Sequence, residues 1–191
     1  MTRSVLLPWL MVLLAGPLLQ AATPPKVLVI FDGEGISGTL NPSYAMYGKA
    51  EYEQFRESLT ADVNAAIRGL KSGGAGAIVV EDGHGSGNDQ EPDILLSKMD
   101  KQGTLEFRDR PFDSYSTGID GSFAAIVLVG QHARARTNGF MAHTYTFDVA
   151  WKVNGVDFTE THIAAMFGAG WGIPVIMVSG DNVLKEQLAS Q

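Results

Sequence analysis

An α/β fold with a mostly parallel sheet, flanking helices and one β-hairpin is what the sequence of this 191-residue chain predicts. Two observations carry that expectation. Four short runs, Lys26–Phe31, Ala77–Val80, Ala124–Val129 and Val175–Val178, are apolar at almost every position rather than at alternate ones. This is the pattern of strands buried on both faces. Between the runs lie helical or irregular stretches long enough to return over a sheet, as parallel pairing requires.

The elements follow in order. Lys26–Phe31 is β-rich and stops abruptly at Asp32-Gly33-Glu34-Gly35. From Tyr47 to Leu70 the residues Tyr52, Phe55, Leu59, Val63, Ile67 and Leu70 recur every three or four positions, the stripe of an amphipathic helix. Ser72-Gly73-Gly74 marks its end. The second run leads into Glu81-Asp82-Gly83-His84, and a less regular stretch, Asp89–Asp120, contains a helix or turn near Ile94–Met99. The third run ends in Gly130-Gln131-His132. Tyr145–Lys152 and Asp157-Phe158 flank Asn154-Gly155, a strong hairpin signal. Thr161–Trp171 reads as a helix, and the fourth run ends in Ser179-Gly180-Asp181 before the start of a last amphipathic helix.

Composition narrows the function. Twenty-one acidic against fourteen basic residues give a net charge of −7 and argue against nucleic acid or an anionic membrane as the main partner. The absence of cysteine excludes disulfides, thiolate metal sites and thiol nucleophiles. Residues 1–22 carry a single charge, Arg3, then an apolar run from Val5 to Leu19 and the small pair Ala21-Ala22. That pattern predicts a secretory signal peptide cleaved near Ala22, with an uncleaved anchor as the alternative. The run is short for a spanning helix and contains Pro8 and Pro17, so no stable span is expected after cleavage. Residues 23–191 then form one domain working outside the cytoplasm, periplasmic or extracellular.

Ligands of open parallel sheets sit at the carboxyl ends of the strands. Here those ends carry Asp32 and Glu34, Asp82 and His84, His132, and Asp181. Gly33-Glu34-Gly35-Ile36-Ser37-Gly38 matches a dinucleotide fingerprint, yet Asp32 and Glu34 would repel a pyrophosphate and Asn41-Pro42 interrupts the helix that should follow. A metal centre fits better. Carboxylates this close repel unless a cation neutralises them, and imidazoles from two further strand ends complete a nitrogen–oxygen set. Such a set suits zinc, with manganese or cobalt as alternatives. With a bridging carboxylate it can hold two ions about 3.5–4 Å apart. The competing assignments are turn or cap chemistry for the acids and structural histidines.

These residues resemble a known family, the D-aminopeptidases of the DppA type, which are binuclear zinc peptidases. Asp32-Gly33-Glu34-Gly35-Ile36-Ser37-Gly38 is similar to the family's opening D-x-E-G-I-S-G, and Asp82-Gly83-His84-Gly85 to its D-x-H segment. Gly130-Gln131-His132-Ala133-Arg134-Ala135, followed by Gly139-Phe140-Met141-Ala142-His143, matches its G-x-H-A-R-A and G-x-M-x-H run. Val153-Asn154-Gly155 and Glu160 resemble the hairpin and glutamate that follow. The resemblance implies that Asp32, Glu34, His84, His132 and Glu160 are metal ligands, with Asp32 the bridge, and that His143 is the catalytic imidazole outside the metal shell. It further implies two zinc ions per chain, release of N-terminal D-amino acids, D-alanine especially, from short peptides, and a homo-oligomer.

Around this set, Glu160 also suits the first turn of a helix. Asp82 and Asp181 either orient a ligand imidazole or cap turns, and His162 is an ordinary helix residue. Arg134 and Arg136 either meet a substrate carboxylate or face solvent. Two features depart from the family: the export signal, since relatives are commonly cytoplasmic, and the C-terminal part of the family's length, which does not follow Gln191. The expectation is a fragment or a reduced form of a longer enzyme. An exported metal-binding or sensor protein without turnover, or a metallohydrolase of other amides or esters, is the alternative function.

Overall fold

A computed structural model describes residues 23–88, 90–106 and 118–190 of the chain. The predicted leader, residues 1–22, lies outside the described residues, as does part of the stretch Asp89–Asp120. No helix among the described residues is long and apolar enough to cross a membrane.

Among the described residues, seven strands and three helices follow in the order β1 (Val27–Phe31), α1 (Tyr52–Ser72), β2 (Ile78–Asp82), β3 (Thr104–Glu106), β4 (Ala125–Gln131), β5 (Trp151–Val153), β6 (Val156–Phe158), α2 (Glu160–Gly170), β7 (Val175–Gly180) and α3 (Asn182–Ala189). Five strands form one parallel sheet in the order β3-β2-β1-β4-β7, and β5 and β6 form a separate antiparallel pair. The central strands β1, β2 and β4 are buried along their whole length, which is why their sequences are apolar without alternation up to the polar ends Glu81-Asp82 and Gln131. One face packs Val27, Val29, Phe31, Val80, Val127 and Val129 against Phe55, Leu59, Val63 and Ile67 of α1. The other packs Leu28, Ile30, Ile126 and Leu128 against Ile163 and Ala164 of α2.

The sequence-based elements shift in three places. α1 starts at Tyr52 rather than Tyr47, because Gly48 takes φ +78° and residues 47–51 turn instead of winding. The hairpin keeps its Asn154-Gly155 turn, with φ +52° and +84°, but its first strand shortens to Trp151–Val153. Tyr145, at φ +57°, leaves the extended region as its N–H turns to the Glu160 carboxylate. The edge strand β3 was not expected, since Thr104–Glu106 has three residues and no apolar run.

From β1 the chain passes to β2 and β3 on one side, and β4 and β7 lie on the other. The order therefore reverses between β1 and β4, the point where strand-end loops diverge and leave a crevice. The loops carrying Asp32, Glu34 and His132 leave from the two strands that flank this point.

Candidate metal centre

Asp32 and Glu34 follow β1 directly, and burial removes both carboxylates from water. The Asp32 N–H donates to the Val129 carbonyl at 2.7 Å and the Gly35 N–H to the Gly130 carbonyl at 2.8 Å. A Cβ at Gly35 would overlap the Gln131 carbonyl oxygen, so only glycine lets this loop lie against β4. Gly35, one of the glycines that mimic a dinucleotide fingerprint, thus serves a close crossing of two backbones.

His84 follows β2 in a turn held by Asp82, whose Oδ1 accepts the N–H groups of His84 and Gly85, each at 2.9 Å. Asp82 therefore does turn chemistry and positions the His84 backbone. Deeper in that loop, Asp93 accepts the Tyr52 hydroxyl at 2.5 Å and the Ser86 N–H at 2.9 Å. Asp181 likewise works on backbone: its Oδ1 caps α3 through the Leu184 N–H at 2.8 Å, and its Oδ2 accepts the Ala133 N–H at 2.7 Å beside His132. Thr159 caps α2 in a capping box whose other member is His162, so His162 has a structural role. Glu160, the first residue of that helix, is buried and turned toward the crevice. Arg134 pairs with Asp157 of β6 at 3.0 Å and Arg136 donates to the Asp148 carbonyl, so both brace the hairpin segment.

The five residues expected as ligands converge. Asp32 Oδ1 lies 3.5 Å from His84 Nδ1, which is 3.2 Å from Glu34 Oε2. Asp32 Oδ2 lies 3.5 Å from His132 Nε2, which is 3.6 Å from Glu160 Oε2. Asp32, Glu34 and His84 form one metal-competent trio, and Asp32, His132 and Glu160 a second, sharing Asp32 through opposite oxygens. His143 comes from the loop after β4 and stacks on His132, ring centroids 4.1 Å apart. Its Nε2 faces Glu160 Oε1 at 3.6 Å and Glu34 Oε1 at 3.9 Å. Glu34, His132 and His143 are also close enough to form a trio of donors.

Each imidazole has its tautomer set by a main-chain carbonyl. His84 Nε2 donates to the Ala45 carbonyl at 2.7 Å, His132 Nδ1 to that of Ala133 at 2.9 Å, and His143 Nδ1 to that of Met141 at 2.7 Å. The other nitrogen of each ring faces the carboxylates. This is how metal-ligating histidines are commonly oriented. His132 Nε2 is buried and finds no hydrogen-bond partner among the described residues, which in a protein interior calls for one. A divalent cation meets that need and neutralises three converging carboxylates, so the residues present fit one.

The charges press on one another. Burial and the neighbouring Glu34 carboxylate raise the Asp32 pKa, whereas burial alone would raise Glu34 but the His84 charge holds it well below the usual carboxylate range. Burial works against protonation of both histidines, but Glu34 keeps His84 well above its ordinary value and Asp32 pushes His132 to about 10. Three non-glycine residues in the segment carrying His143, namely Arg136, Met141 and Tyr145, take φ of +60°, +48° and +57°. Such conformations cost about 1–3 kcal/mol each and collect at functional sites.

Gln131 contacts the cluster as well, and a buried amide closing an otherwise apolar strand is the signal that marks it. The carbonyls of Ala45, Ala133 and Met141 carry no such signal, because every residue has one.

A parallel sheet that gathers three carboxylates and three imidazoles where its strand order reverses defines an α/β protein with residues that could hold divalent metal. Residues 26–191 match the sequence profile of the D-aminopeptidase family, and the chain belongs to that family. A D-aminopeptidase of Bacillus subtilis (strain 168) is 31% identical over 159 residues, covering 82% of this chain and 56% of that protein. The solved structure described as the Zn-dependent D-aminopeptidase DppA from Bacillus subtilis, a self-compartmentalizing protease, superposes with a TM-score of 0.79 at 30% identity. That superposition covers 86% of this chain and 59% of the relative, so the chain spans less than two thirds of the length of both relatives.

Proposed function

We propose that this chain is a zinc-dependent aminopeptidase that releases N-terminal D-amino acids, D-alanine among them, from short peptides. The observation that carries the proposal is Asp32, whose two oxygens face two separate imidazole–carboxylate sets. Two zinc ions per chain would be held by Asp32, Glu34 and His84 on one side and by Asp32, His132 and Glu160 on the other, with manganese or cobalt as substitutes. When bound, such ions lower the pKa of water and polarise a carbonyl.

The chain's own residues do the rest. His143 keeps its proton on Nδ1 against the Met141 carbonyl, leaving Nε2 as the base that faces the cluster. That nitrogen supports a role in taking a proton from the attacking water and passing it to the leaving amine. The Tyr145 N–H, 2.8 Å from Glu160 Oε1, holds that carboxylate beside His143. The preference for D-residues is supported by the names of the relatives, and a homo-oligomer by the self-compartmentalizing relative. The leader pattern of residues 1–22 supports export, where cell-wall peptides would supply D-alanine.

The test is hydrolysis of D-alanyl and L-alanyl dipeptides by the zinc-loaded chain. Turnover of the D-isomer alone, abolished by a chelator, supports the proposal. A chain that binds zinc but cleaves neither isomer is instead a metal-binding or sensor protein.

A further inference from the structure

Gln131, the last residue of β4, is fully buried beside the cluster. Its Nε2 donates to Asp32 Oδ2 at 3.3 Å, and its Oε1 accepts the Thr161 hydroxyl at 3.2 Å. Thr161 is the neighbour of Glu160 in α2, so one amide joins the shared carboxylate to the helix that carries the last acid of the second trio. The Gln131 backbone is pinned as well. Its carbonyl accepts the Asp181 N–H at 3.2 Å, and a Cβ on Gly35 or on Gly180 would overlap that same oxygen.

The sense of the amide is also determined. An ionised carboxylate only accepts, so the NH2 group must face Asp32, and the Thr161 hydroxyl then donates to the amide oxygen. Asp32 can serve two metal positions only while its carboxylate plane keeps Oδ1 toward His84 and Oδ2 toward His132. Rotation about the Cβ–Cγ bond would turn Oδ2 away from His132 and leave His132 and Glu160 a poorer site. The Gln131 donor acts on the oxygen that rotation would remove.

We infer that Gln131 is a positioning residue that holds Asp32 in its bridging orientation, with Thr161 setting the sense of the Gln131 amide. The inference rests on the two-ion reading above. It assigns Gln131 and Thr161 to the second trio alone, although neither is a metal ligand.

The experiment is competitive titration of the full metal-free chain with Zn²⁺ against a chromogenic chelator, with Co²⁺ absorption spectra in parallel. Gln131→Met keeps the shape and removes the donor. It should weaken one of two ions about 10–100-fold, as loss of groups orienting ligands does, and leave the other unchanged. Thr161→Val should weaken the same ion by less, Thr161→Ser should restore it, and the Co²⁺ band of that ion alone should shift. The double variant should bind no worse than Gln131→Met, because Thr161 acts through Gln131. Wild-type affinity for both ions in Gln131→Met, equal loss of both, or additive effects in the double variant would overturn the inference. If Gln131→Met does not fold, equal Zn²⁺ affinities of Thr161→Val and Thr161→Ser would overturn it as well. A wild-type chain that takes up fewer than two ions rejects the two-ion reading itself, and the inference with it.

Discussion

Asp32, Glu34, His84, His132, Glu160 and His143 differ in how far the metal should depend on them. Asp32 belongs to both trios, so Asp32→Ala should lose both ions, seen as near-zero zinc by elemental analysis of folded protein. His143 shares no trio with Asp32, and its Nε2 lies 3.6 Å from Glu160. His143→Ala should therefore keep its zinc while turnover of D-alanyl peptides falls about 10²–10⁴-fold, the range of a positioned acid–base group. Loss of zinc in that variant would place the imidazole among the ligands. The histidine pKa values set a pH dependence. In the metal-free chain the carboxylates raise His84 and His132, so both rings hold protons near neutral pH that zinc must displace. Zinc uptake should release protons, and apparent affinity should rise with pH. Calorimetry in buffers of different ionisation enthalpy checks this, and a buffer-independent heat would contradict it.

At the level of elements, the loop after β1 and the end of β4 have to lie almost in contact for Asp32 and His132 to share a site. Gly35 permits this, and a Cβ there has no space beside the Gln131 carbonyl. Gly35→Ala should destabilise the fold by about 1–3 kcal/mol, the usual range for overpacking, as measured by urea unfolding. It should weaken zinc binding too, because relief of the overlap moves Asp32. The helix that brings Glu160 depends on its cap. Thr159→Ala removes the hydroxyl that accepts the His162 N–H, and should cost about 0.5–2 kcal/mol. Unfolding midpoints of the two variants would separate a loop effect from a helix effect.

For the whole molecule, the cluster is a point of concentrated negative charge inside the fold. Three buried carboxylates, two of them beside each other, oppose compaction until protons or metal offset them. Zinc that binds only the folded chain should stabilise it by about 2.7 kcal/mol at a hundredfold excess over Kd. The unfolding temperature should then fall on chelation and recover on adding zinc. An unchanged unfolding temperature would mean that the cluster does not hold metal in the native state.

The four apolar runs and the α1 stripe were legible because burial on both faces of a strand, or on one face of a helix, leaves a periodic signature in the residues themselves. Parallel pairing then sends every strand end to one edge, so the sequence alone groups Asp32, Glu34, His84 and His132. Glu160 and His143 came only through family resemblance. They leave from a helix start and a loop, whose positions no periodicity records. Strand β3 and the short hairpin were not legible either, being three-residue strands, mostly exposed, that exist because neighbours pair with them. The tertiary structure alone set the pairing of Asp32 with two ligand sets, the tautomers held by the Ala45, Ala133 and Met141 carbonyls, and the Gln131–Thr161 contact. The residue types of the site follow from local chemistry, whereas which oxygen faces which nitrogen depends on backbone groups distant in sequence that only the packed fold brings together.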